Sequence, residues 1–383
     1  MKLVILSLFV VGAIGCGSGG ATVDASGGLD SGHAADGPAV VEKDVGAVAD
    51  TPIGNIGESD GAVDAGVAGG AVDVGVAGDT AGSGGSDGAS GASAASGASC
   101  ASLPATCGPA GNESCCTSLL VPGGTFYRND DYNHPATLSD FYLDKYEITV
   151  GRFRAFVNAG MGTRASPPAA NAGAHPRIAG SGWDPAWNAS LPVDTVALQA
   201  AIAPTLFPSD WTTWTSVPGG NESRPQNSLN WYLAFAFCAW DGGRLPTDAE
   251  LNYAGVGGDE QRKYPWGSAD PNYTMASYDC MGDGIAGCSL ADFVFVGTKP
   301  AGNGRWGHAD LSGNVWEWVL DCLGEAPMPC NDCANLRDPT SRLNRGGGMD
   351  NPNTYLSSAY NGGDMHPDES TPEVGARCAR GKP

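Results

Sequence analysis

The chain has 383 residues and a net charge of −22. Half of that charge lies in residues 17–99, where ten Asp and two Glu face one Lys, a net of −11. This balance excludes nucleic acid as a partner, because phosphate binding needs clustered Lys and Arg. The same segment is nearly all Gly, Ala, Ser, Asp and Val and holds no Trp, Tyr or Phe. It cannot bury enough apolar surface to offset its ordering entropy, so disorder is expected there. Every Trp and Tyr lies after residue 100. One folded domain, 100–383, is therefore expected rather than the two that length alone permits.

At the N-terminus, MKLVILSLFVVGAIGC carries one Lys, an apolar run and small residues before Cys16. The run is too short to span a bilayer, and residues 1–15 are expected to be a secretory signal. A cysteine after small residues, followed by a Gly/Ser tail, resembles the bacterial lipoprotein signal. The resemblance implies lipidation at Cys16, export, and attachment to the cell envelope through a lipid anchor. Gly rather than Asp at position 17 points by the same resemblance to the outer membrane. Residues 16–99 then act as a tether, and a flexible chain of about 80 residues reaches roughly 50 Å. The imperfect repeats of 62–79 have no large apolar residue to stack and are expected to be linker, not solenoid.

Export makes disulfides the expected state of the remaining cysteines. They form local groups at Cys100, Cys107, Cys115 and Cys116, at Cys280 and Cys288, and at Cys322, Cys330 and Cys333. Cys238 and Cys378 stand apart. Their odd total leaves one thiol over. Cys330 and Cys333 have zinc-like CxxC spacing, but no second pair or nearby His supports a metal.

Within the domain, residues 119–127 suggest a strand broken by Gly123-Gly124. Phe141, Leu143 and Tyr146 suggest another. Thr149 is placed to cap a helix in which Phe153, Phe156 and Val157 repeat at helical spacing up to Gly160. Residues 161–228 are rich in Pro, Gly, Ser and Trp, so long ordered loops are expected, anchored by Trp183, Trp187, Trp211 and Trp214. The segment 229–246 predicts a helix with Tyr232, Phe235, Ala236 and Ala239 on one face and a stop at Gly242-Gly243. Thr247 and Glu250 have capping-box spacing for the next helix. Without a long strand–helix alternation, a doubly wound sheet is unexpected and the class is α+β with much irregular structure.

Seven motifs occur in order: VPGGTF (121–126), FYLDKYEITVGRFRAF (141–156), the 227–254 segment with GGRLPTDAELNYA, YPWG (264–267), LSGNVWEWVLD (311–321), RGGG (345–348) and VGARCAR (374–380). Together they resemble the sulfatase-modifying-factor, or formylglycine-generating-enzyme, family, whose fold is C-type-lectin-like. The resemblance implies a disulfide between Cys238 and Cys378. On the chain-entropy model, a bridge closing so long a loop contributes about 4 kcal/mol. It also implies a calcium site with carboxylates from Asp310 and Glu317 and carbonyls from Gly313 and Val315, a hard-oxygen set that suits the ion. In the residues themselves, a turn cap at Asp310 and an arginine partner for Glu317 remain the alternative. The family's second calcium site, around Ser277, Tyr278 and 292–295, lacks a clearly aligned carboxylate.

Oxygen-using members follow the Gly-rich strand with a copper-binding cysteine pair, and thiolate suits that soft metal. Here Gly348 stands where serine is expected, and MDNPNTYLSSAYNGG contains no cysteine. Copper and formylglycine generation are therefore not expected. The expected function is a lipid-tethered, non-catalytic binding module for a peptide, glycan or envelope protein. Its candidate face is Tyr355, Tyr360 and His366. The alternatives are an oxidoreductase-type enzyme of the same family that uses other residues, and a structural envelope component.

Overall fold

A computed structural model describes residues 97–203, 211–337, 340–363 and 365–382. The signal, Cys16 and nearly all of the tether lie outside the described residues. No helix among those described is long and apolar enough to cross a membrane.

Three small sheets carry the domain. The first contains β1 (Ser118–Val121), β4 (Phe141–Asp144) and β9 (Ala379–Gly381), with β4 central and antiparallel to both neighbours. The second contains β2 (Gly124–Tyr127), β3 (Pro135–Leu138) and β6 (Cys330–Asn331). The third orders β7 (Arg342–Arg345), β5 (Trp316–Cys322) and β8 (Val374–Gly375), with β5 central. Gly123 marks the break anticipated within 119–127, where a Cβ would lie 2.3 Å from the Leu138 carbonyl oxygen. The chain therefore leaves one sheet and enters another. Tyr146 lies beyond the end of β4 and is fully buried.

The described residues form four α-helices, α1 (Val150–Asn158), α2 (Thr195–Ala201), α3 (Trp231–Trp240) and α4 (Asp248–Val256); α3 and α4 pack on β5, and α2 packs on α1. Thr149 caps α1 by accepting the Arg152 N–H, and left-handed Gly160 follows its end. Two features depart from the sequence expectation. The 161–228 region contains α2, started by the Asp194 side chain, which accepts the Ala197 N–H. And α3 has no single apolar face: every residue from Trp231 to Cys238 is buried, so it is a central helix surrounded by protein. Trp183 and Trp187 pack on its Phe235, with the three ring centroids 5.4–5.7 Å apart. The capping box of α4 is complete, with Thr247 and Glu250 each accepting the other's backbone N–H.

Charge is buried with its partners. Arg152 donates to Asp144 at 2.8 Å and to Asp241 at 2.6 Å, and Arg380 bonds the same two carboxylates. Ser99 N–H also donates to Asp241, tying the start of the domain to this centre. Five disulfides join Cys100–Cys116, Cys107–Cys115, Cys238–Cys378, Cys280–Cys288 and Cys330–Cys333. The CxxC of Cys330 and Cys333 is thus a disulfide, which removes both thiolates a zinc ion would need.

Candidate functional site

The turn entering β5 sets the geometry of both faces of that strand. Gly313 and Asn314 take φ of +85° and +67°, which folds the chain sharply before Trp316. Side chains then alternate along the strand. Glu317 points into an ionic cluster, and Trp316 points toward the segment after the glycines.

In the ionic cluster, Arg377 reaches Glu317 with two parallel bonds, both of 2.6 Å. Its Nη1 donates to the carbonyls of Asp144 and Lys145, and Nη2, which also bonds Glu317, donates to those of Ala309 and Asp310. The adjacent residue, Cys378, is bonded to Cys238 of α3, so one short segment joins the helix to the β5 sheet. Asp310 accepts the Gly297 N–H at 2.6 Å. Glu147 accepts from Asn314 Nδ2 at 2.7 Å. Burial pushes all three carboxyls up. It pushes Glu147 well up, and the charges of Asp310 and Glu317 add to it. Three buried acids thus share one guanidinium, and Asn314 Oδ1 is buried without a partner.

The other face is built on Asn351. Its Oδ1 accepts the Trp316 indole N–H at 2.6 Å and the Gly348 N–H at 2.9 Å. A Cβ on Gly348 would lie 3.1 Å from Asp350 Oδ1 and 3.2 Å from Trp316 Cδ1, so glycine lets the backbone close on both groups. Asp350 Oδ1 is buried without a partner. Burial, and then the charge of Glu373, push its carboxyl up. Tyr355 and Tyr360 lie 4.8 Å apart, and each ring is 5.9 Å from Trp316. Arg345 positions the loop: its Nε bonds Asp248 on α4, and Nη1 donates to the carbonyls of Ser358 and Tyr360.

The domain model named sulfatase-modifying factor enzyme 1-like matches residues 104–382. The chain belongs to this family. Among its relatives, the formylglycine-generating enzyme of Thermomonospora curvata is 28% identical over 308 residues, covering 68% of this chain and 92% of the relative. The mouse protein named inactive C-alpha-formylglycine-generating enzyme 2 is 31% identical over 162 residues, covering 40% of this chain and 48% of that one. Among solved structures, PvdO from Pseudomonas aeruginosa aligns at 18% identity and a TM-score of 0.47, covering 69% of this chain and 94% of that chain.

In this sulfatase-modifying-factor domain, the segment after the glycine strand offers an amide clamp and an aromatic cluster in place of thiolates. Of the expected face, the structure brings Tyr355 and Tyr360 together. His366 lies on a separate turn with its Nδ1 3.5 Å from Asp368. Asp310, Gly313 and Val315 precede β5, and Glu317 is the second residue of that strand, bound to Arg377. Asn351, Glu147 and Arg345 were not singled out in the sequence. The signal that finds Asn351 is a demand: a buried indole N–H needs an acceptor.

Proposed function

We propose that this protein is a lipid-tethered binding module whose sulfatase-modifying-factor domain does not generate formylglycine. The carrying observation is the clamp at Asn351. The segment that would supply copper-binding thiolates holds a carboxamide bonded to Trp316 and Gly348, and Cys378, the one cysteine after Cys333, is in a disulfide. What remains exposed there is aromatic and amide surface, of the kind that stacks on sugars or holds extended peptide. Tyr360 is 37% exposed and leans on Tyr355 and Trp316. The partner is a peptide, glycan or envelope protein. Lipidation at Cys16 and the acidic tether would display the domain at the envelope, on the outer membrane.

Calcium belongs to this proposal as a structural ion. Asp310, Glu317 and the carbonyls of Gly313 and Val315 would hold it, and it would offset the surplus of buried carboxylate. Among the described residues no three His, Cys, Asp or Glu side chains converge in a ligating arrangement, so backbone oxygens would supply part of the shell. Chelation should lower Tm and added calcium should restore it. A Tm indifferent to both removes the ion from the proposal.

The functional test incubates the oxidised protein with copper, oxygen and a peptide bearing Cys-x-Pro-x-Arg, then seeks the aldehyde by mass spectrometry. No conversion is expected. The same preparation is screened on glycan and peptide arrays beside a Tyr355→Ala/Tyr360→Ala variant, which should lose the signal. Aldehyde formation would overturn the non-catalytic reading, and array binding unaffected by the double variant would overturn the assigned face.

A further inference from the structure

A cavity of about 510 Å³ opens beside β4 and β9. None of its lining residues belongs to the Trp316 face, so it is independent of the function proposed above. Its wall is charged, with three acids and three bases among the lining residues. Their hydrogen bonds separate the two sets.

The acids are engaged by protein donors. Glu250 takes both terminal nitrogens of Arg244 and the Thr247 N–H. Asp332 accepts the N–H and the hydroxyl of Ser139 at 2.8 and 2.7 Å. Asp140 accepts the Gly123 N–H at 2.8 Å and Lys382 at 2.9 Å.

The bases keep donors in reserve. Arg244 is 3% exposed, and its Nε is buried without a partner. Arg177 is held only by its Nε, 3.4 Å from Asp332, with its side chain 61% exposed. Lys382 is half exposed and bonds one carboxylate. Exposed pairs of this kind contribute little, so both side chains can turn inward at little cost. His175 holds no donor in reserve: its Nδ1 accepts the Arg177 N–H at 3.1 Å, and its Nε2 faces Glu250 at 3.6 Å.

We propose that this cavity binds an oxyanion carried on a small polar molecule, of the class of sugar acids and sugar sulfates. Arg177 and Lys382 grip the anionic group from the rim, and Arg244 lines the floor. The volume lies within the range of small-molecule sites, about 300–1,000 Å³. The few apolar side chains in the wall match a hydroxylated ligand better than an aromatic one.

Calorimetric titration of the full-length protein with glucuronate, glucose 6-sulfate and glucose tests this. Either acid should bind and glucose should not; which acid binds tells carboxylate from sulfate. Arg177→Gln and Lys382→Gln should each weaken binding about tenfold, as expected for one charge-assisted contact, without moving Tm. Tyr355→Ala should leave it unchanged. The proposal fails if folded protein binds neither acid, if glucose binds as well as they do, or if the Arg177→Gln/Lys382→Gln double variant binds as the wild type does.

Discussion

Glu317 and Trp316 are neighbours on β5, yet they face opposite kinds of surroundings. Glu317 meets Arg377 through two bonds in a fully enclosed cluster that also carries the disulfide to α3. Trp316 meets one amide oxygen and two tyrosines. The first side holds sheet, helix and C-terminal segment in fixed register. The second side has exposed rings, which is where a ligand gains contacts that water does not already supply. Change in the loop after the glycines can therefore alter chemistry without disturbing the frame.

The sharpest way to break this contrast is to remove the guanidinium. Arg377→Met leaves Glu317 buried without its partner, beside Glu147 and Asp310. Breaking a buried pair from one side costs about 3–5 kcal/mol. Urea unfolding should show a loss of that size, while Tyr360→Ala on the other side should stay within about 1 kcal/mol. Equal losses would mean that the two sides do not differ as described.

A smaller effect concerns the far end of the same strand. Asp321 is buried beside Asp248, and burial followed by that neighbouring charge raises its carboxyl to about 7. An unfolded aspartate titrates near 3.9. Between those values the native state holds the extra proton, so stability falls as pH rises through that window. The wild type should therefore have a lower urea midpoint at pH 8 than at pH 5. Asp321→Asn should shrink that difference, and only in part, because Glu147, Asp310 and Glu317 are shifted in the same direction. An undiminished difference would show that Asp321 ionises normally.

How far the sequence foretold these arrangements depended on the range of the interactions. Thr149, Thr247 and Glu250 act on backbone three residues away, and their capping roles were legible. So were the break at Gly123 and the family, which seven short motifs carried together. The surroundings of α3 were not legible, because a helix buried all round differs from a one-sided helix only in what packs on it. The helix at 195–201 was hidden in a stretch dominated by Pro, Gly and Ser. The Asn351 clamp joins residues 35 apart, and the oxyanion cavity gathers β4, the 175–177 turn, α4 and the C-terminus. No local pattern encodes such meetings.

The least disruptive change tests whether Gly348 is what allows the clamp to close. Its φ is not in the left-handed region, so a side chain meets no backbone strain there, only crowding. In Gly348→Ser the new Cβ would stand 3.1 Å from Asp350 Oδ1, 3.2 Å from Trp316 Cδ1 and 3.4 Å from Asn351 Oδ1. These are side-chain atoms, able to give by a few tenths of an ångström, so the cost should be about 1 kcal/mol, at the low end of overpacking. The larger response should be local. The Trp316 ring must give at Cδ1, the atom beside its N–H, so Trp316 Nε1–H should exchange faster with solvent and its NMR resonance should shift, while the Arg377 side should be undisturbed. Unchanged exchange in a folded variant would mean that the indole bond does not depend on glycine at 348.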